Sequence, residues 1–187
     1  MNHLAKHKWW FFAGFIFVIA LSRLLPHPYN FTPVGGMALF AGALFGGRKL
    51  LWLVPIGAYL ISDLLVNNIV YASYYDSFIW MTSPAVYLSL AAIILMGHLM
   101  LQRINAKNMV LASVSASVLF FLITNAFVWY ASPTYPNTIA GLMSSYTAGI
   151  PFFWNTLAGD LFYCALLFGS YSLLVKKYPA FRLKSFA

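Results

Sequence analysis

Met109–Ala131 reads MVLASVSASVLFFLITNAFVWYA, 23 consecutive residues without a charged side chain. At helical rise it extends about 35 Å, against a hydrocarbon core of about 30 Å. The stretch therefore predicts a membrane-spanning helix. Working outward from it, five further apolar segments lie at about 9–25, 33–47, 50–66, 79–101 and 151–175. The second is the shortest, and Gly35, Gly36, Gly42, Gly46 and Gly47 punctuate it, which suits a tilted or broken helix. Composition agrees: 62% of the chain is hydrophobic and 7% charged, where soluble domains carry about 25% charge. So little charge does not cover a water-exposed surface, and lipid is the solvent that remains. The expectation is all-α: one polytopic domain over residues 1–187 with six transmembrane helices.

The charges sort by connection. Lys6 and Lys8 precede the first segment, Arg48 and Lys49 join the second to the third, and Arg103 and Lys107 join the fourth to the fifth. Lys176, Lys177, Arg182 and Lys184 follow the sixth. With six spans these ten residues fall on one side, which the positive-inside rule makes the cytoplasm. Both termini are then cytoplasmic, in a bacterial inner membrane. The net charge of +8 is thereby read as topology charge, with no nucleic-acid partner. Lys6, Lys8, the apolar run and Ala20-Leu21-Ser22 also fit a signal peptide with a small-residue cleavage site, but removing that segment would break the even charge pattern.

The three acids, Asp63, Asp76 and Asp160, fall on the other side with Arg23 alone for company. Charge at membrane depth is costly and faces an interior or a water-filled cavity. Asp160 lies about 15 Å into the sixth segment and Asp63 near the outer end of the third. An ion pair of Arg23 with Asp160, or with Asp63, is the expected way to hold them. The pair fixes helix register, or else forms the polar floor of an outward-facing pocket. Asn125 and Thr124, with Trp129 a turn beyond, add polar groups to the outer half, as do Asn155 and Thr156. No ladder of ionisable groups crosses the membrane, which weighs against a proton-driven pump.

The first outer connection, Arg23–Pro33, is RLLPHPYNFTP. Its three prolines fix φ and stop helix propagation, leaving a stiff loop that presents His27, Tyr29 and Asn30. Asn30 or Thr32 is placed to cap the second helix, with Pro33 at its first position. The third outer connection, Ser132–Ile150, is long, and residues 137–147 suit a short helix across the mouth, a lid that would carry Tyr146. The small-residue sets Ala38/Gly42/Gly46, Ala112/Ala116 and Ser113/Ser117 let helix backbones approach closely, inside one bundle or against a partner subunit. Histidines at 3, 7, 27 and 98 are too scattered for a zinc cluster. No nucleotide-binding, hydrolase-elbow or metalloprotease motif is present. The reading has no catalytic residues, no metal and no cofactor.

Three blocks carry a resemblance: Thr32-Pro33-Val34-Gly35, Ala41–Arg48 with Ser62-Asp63-Leu64-Leu65, and Ile150–Asp160. Their arrangement resembles the substrate-binding S components of energy-coupling-factor vitamin transporters. It is closer still to an uncharacterised bacterial family with a Leu-Pro-His-Pro-x-Asn-Phe-Thr-Pro stretch. The resemblance implies capture of a small water-soluble vitamin or micronutrient from outside, and uptake by toppling on a coupling membrane subunit with ATPases. The Ala-x-x-x-Ala docking pattern of such proteins is missing, since Phe17 follows Ala13, which leaves room for a solitary transporter. Solitary relatives that carry cobalamin use a Cys near the third helix, whereas the single Cys here is Cys164 in the sixth segment.

On this reading His27, Tyr29, Asn30, Asp63, Asn125, Trp129, Tyr146, Asn155 and Asp160 contact the ligand. Two other readings stand beside it: an assembly subunit of a larger membrane complex, with a filled interior, and an outer-leaflet enzyme using His27 with Asp76 or Asp63.

Overall fold

A computed structural model describes residues 3–45 and 48–182, with the side chains of residues 3–7 and 49 left out. Gly46, Gly47 and Lys184, and the side chain of Lys6, lie outside the described residues. The fold is all-helical among the residues described. Its main helices are α1 (His3–Leu21), α2 (Val34–Phe45), α3 (Leu53–Leu65), α4 (Pro84–Met100), α5 (Ala106–Ala131) and α6 (Ile139–Lys177). Three stretches are long and apolar enough to cross a membrane: Leu50–Val70, Ala106–Ala131 and Ile139–Lys177. α2 and α4 are shorter apolar helices.

α2 is the hub: all 12 of its residues are buried. It packs chiefly on α4 and α6, while α5 closes against both of those and α1 pairs with α3. Two glycines bring α2 and α4 together. A Cβ on Gly42 would overlap the Ile94 carbonyl, and a Cβ on Gly97 would overlap the Leu39 backbone. The small-residue spacing of α2 therefore serves packing inside the bundle. α5 is inverted relative to a soluble helix. Ala112, Ser113, Ala116 and Ser117 are buried, while Leu111, Val114, Val118 and Leu122 are exposed on the opposite face. Small and hydroxyl residues turn inward and branched apolar ones outward, as lipid requires.

The ends of the helices differ in charge. At one end Arg48 stacks over the Trp9 ring at 4.8 Å, Lys8 Nζ donates to the Arg182 carbonyl, and Trp52 meets His98. These contacts gather the start of α1, the α2–α3 and α4–α5 junctions and the end of α6 into one basic end. The 23–33, 66–83 and 132–138 connections form the far end.

Several boundaries differ from the sequence expectation: the first helix, expected at about 9–25, runs His3–Leu21 and ends in a 3-10 turn. The fourth helix starts at Pro84 and not at 79, because Ser83 caps it and Asn68 ties Ile79 back to α3 through bonds at both its N–H and its carbonyl. α3 continues into a π-helical turn, Val66–Val70. No separate lid helix covers 137–147. Thr138 caps a helix that runs unbroken through Pro151 for 39 residues. Its added turns are fastened to α5, where Ser145 Oγ donates to the Asn125 carbonyl and Tyr146 Oη to the Leu122 carbonyl.

Candidate functional site

Of the two expected ion pairs, Arg23–Asp160 does not form and Arg23–Asp63 does. Arg23 pairs with Asp63, Nη2 to Oδ1 at 3.3 Å, and Nη1 donates to Ser62 Oγ at 2.9 Å. The guanidinium also lies 4.2 Å from the Tyr59 ring centre. Asp63 is sealed from solvent. Its remaining lone pairs accept from Thr82 N–H (2.9 Å), Thr82 Oγ1 (2.8 Å) and Tyr87 Oη (3.3 Å). Arg23 reaches Asp63 and not Asp160 because α1 packs on α3, which sets the 3-10 turn Ser22–Leu24 beside the end of α3. A buried charge with every lone pair engaged has nothing left to offer a ligand, so Asp63 ties the first connection to α3 and α4.

Asp160 is buried without a cation. Ser117 Oγ of α5 donates to its Oδ2 at 2.7 Å, and the carboxylate lies against the backbone of Gly35 and Gly36. Those residues belong to the first turn of α2, whose N–H groups have no partner within the helix. The helix N-terminus carries about half a positive charge and takes the place of the expected Arg. A Cβ on Gly35 would overlap the carboxylate, so the glycine is what lets the acid approach. This cap comes from α6, 125 positions downstream of Gly35. The local candidates, the Asn30 and Thr32 side chains, make no bond to α2. Asn30 instead turns the chain with φ at 63°.

A cavity of about 270 Å³ opens at the far end, between the first connection, the start of α4, and α5 and α6. Phe120, Phe121, Phe152 and Phe153 supply most of its apolar wall, with Val86 and Val128. Its polar lining is Asn30, Ser83, Thr124, Asn125 and Thr156. Thr124 Oγ1 donates to Phe120 O, Asn125 Nδ2 to Phe121 O and Thr156 Oγ1 to Phe152 O, each one turn back in its helix. The two hydroxyl donors are thus spent, Asn125 keeps one N–H, and lone pairs remain for a guest. Gly149 faces the Asn125 carboxamide so closely that a Cβ would overlap it. Among the described residues no ionisable side chain lines the cavity.

A family profile matches residues 3–181, nearly the whole chain. The chain belongs to DUF6580, a family of unknown function. No curated protein and no solved structure matches it.

In this DUF6580 chain the nine expected contacts separate into three groups. Asn30 and Asn125 line the cavity. Asn155, Trp129 and Tyr146 brace its surroundings: Asn155 Nδ2 holds the Tyr29 carbonyl at 2.9 Å, Trp129 Nε1 holds the Pro136 carbonyl, and Tyr146 is bonded to α5. The rest stand away from it. The Tyr29 side chain is exposed, and His27 Nδ1 donates to the Pro28 carbonyl. Asp63 and Asp160 are enclosed by their own partners. The four phenylalanines were missed, although the sequence marks them. Phe-Phe-x-x-Thr occurs twice, at 120–124 and 152–156, and both copies face the cavity.

Proposed function

We propose that this chain is the binding component of a membrane uptake system. It captures a small, uncharged, ring-bearing solute rich in N–H or O–H donors, such as a neutral water-soluble vitamin or a related micronutrient. The observation that carries the reading is the far-end cavity, walled by phenylalanines, open at the mouth, and furnished with hydrogen-bond acceptors but no charge. Sites of this kind pair apolar walls with a few placed polar groups. The chemistry of the cavity matches ring faces stacked on Phe120, Phe121, Phe152 and Phe153, with donors directed at Thr124, Asn125 and Thr156.

In this reading the chain crosses the bacterial inner membrane six times. Its basic end is cytoplasmic by the positive-inside rule, and the cavity faces outward. S-component-like toppling, alone or on a coupling subunit with ATPases, would deliver the ligand. The cavity volume weighs against cobalamin, whose corrin ring system is far larger. The uncharged lining weighs against the outer-leaflet enzyme, which needs an acid and a base beside one substrate atom. An open aromatic cavity likewise weighs against an assembly subunit with a filled interior.

The test is a thermal-shift screen of neutral ring vitamins on the purified full chain. A true ligand at 100 times its Kd adds about 2.7 kcal/mol. At 2–4 °C per kcal/mol for a chain of this size, that is about 5–11 °C. If no ring solute raises the midpoint at millimolar concentration, the uptake reading fails.

A further inference from the structure

The basic end holds a second concavity, of about 470 Å³, between the α4–α5 junction and the end of α6. Arg103, Lys176 and Arg182 line it together with Gln102 and Ser172. Orientation rules explain why cations gather at this end, but not why three of them share one hollow. Among the described residues they are also uncompensated: Asp63 and Asp160 are buried in their own networks and Asp76 lies in the 66–83 connection at the far end. The wall is ordered. Lys8 Nζ fixes the Arg182 carbonyl at 3.2 Å, and the neighbouring Phe181 stacks against Phe11 and Phe12. Gln102 is tied to the His98 carbonyl.

Beside the hollow runs an apolar furrow of about 220 Å³ between α1 and α6, formed by Phe11, Phe12, Phe15 and Leu174. Tyr171 lines both. A cationic hollow adjoining an aromatic furrow has the shape of one amphipathic guest. We propose that this end of the protein binds a phosphate-bearing anion, with the phosphate between Arg103, Lys176 and Arg182. The furrow favours an anionic phospholipid as its source, with the acyl chain along Phe11 and Phe15. Basic pockets between helices on the cytoplasmic side suit such headgroups, and guanidinium forks suit phosphate oxygens. The inference is independent of the far-end cavity.

Lys176 and Lys177 are adjacent, and only Lys176 lines the hollow. Lys177 instead lies over the Tyr178 ring. The two therefore provide a comparison with equal change in charge. The full chain in neutral detergent is titrated with short-chain phosphatidylglycerol, short-chain phosphatidylcholine and inorganic phosphate, with thermal midpoint as the readout. Saturable stabilisation by phosphatidylglycerol is expected, weakened about five-fold by Lys176→Gln and unchanged by Lys177→Gln. Arg103→Lys, which preserves charge but removes the fork, weakens it less than Lys176→Gln. If inorganic phosphate saturates the site and competes with the lipid, the site stands with a soluble phosphate as its source. Two results overturn the proposal: phosphatidylglycerol acting no better than phosphatidylcholine while phosphate has no effect, or Lys176→Gln and Lys177→Gln weakening binding equally. Equal midpoints without lipid confirm that the variants fold.

Discussion

Replacing Asp63 with alanine strands a partly buried guanidinium. Arg23 keeps only 10% side-chain exposure, and the other carboxylate near membrane depth, Asp160, is committed to α2. Thr82 N–H, Thr82 Oγ1 and Tyr87 Oη lose their acceptor in the same step. Removing one partner of a buried pair costs about 3–5 kcal/mol. At about 2–4 °C per kcal/mol this is a drop of about 6–20 °C in midpoint. Asp63→Asn keeps an acceptor for one of the two Thr82 donors and should fall by less. The double variant Arg23→Met/Asp63→Leu removes both charges with similar bulk, and should recover most of the loss, because a buried pair is worth little against well-packed apolar groups. Tryptophan fluorescence during heating in neutral detergent reads all four proteins. An Asp63→Ala midpoint within about 2 °C of wild type would refute the account. A double variant as unstable as Asp63→Ala would show that the charge itself is not what matters.

Six other substitutions probe the rest of the fold. Gly149→Ala drives a Cβ into the Asn125 carboxamide; overpacking of about 1–3 kcal/mol and loss of ligand stabilisation should appear together in thermal shift. Thr124→Val or Thr156→Val removes lone pairs at nearly constant volume, and titration should show affinity down about two- to twelve-fold, from a net hydrogen bond of about 0.5–1.5 kcal/mol. At Asn30, with φ of 63°, alanine should cost about 1–2 kcal/mol and glycine much less, while both weaken ligand binding. Gly42→Ala sets a Cβ against the Ile94 carbonyl, backbone that has no rotamer to yield, so a loss of at least about 1–3 kcal/mol is expected in the unfolding midpoint.

Much of the helical layout was legible because apolar run length and charge placement follow directly from the bilayer. The run at 109–131 is helix within α5, and both ends of the bundle sort by charge as the connections implied. The long sixth helix was not legible. Pro133 and Pro136 do mark the break between α5 and α6, but Pro151 looks like a third and lies inside α6, where a proline loses only one hydrogen bond when neighbouring turns are held. Here Ser145 and Tyr146 hold them from across the interface. Asp160 was rightly singled out as a buried charge, but its partner was sought among side chains. A backbone N-terminus has no letter in the sequence, and Gly35 was read as punctuation where it is the gap that admits the carboxylate. The cavity was half visible. Asn30 and Asn125 stood out by polarity, whereas only the repeated Phe-Phe-x-x-Thr pattern sets the phenylalanines apart from the lipid-facing residues around them.

The capping of α2 by Asp160 also bears on the order of assembly. α2 leaves the ribosome second, with 12 apolar residues, too few for a bilayer core of about 30 Å. Its first-turn amides have no partner until α6, made last, arrives with Asp160, and Ser117 of α5 must already be in place. The hub of the bundle is thus completed by its final helix. A chain released before residue 160 would hold α2 with bare amides and α5 with only part of its contact to α6. The last helix is therefore what supplies the start of the second with its missing acceptor.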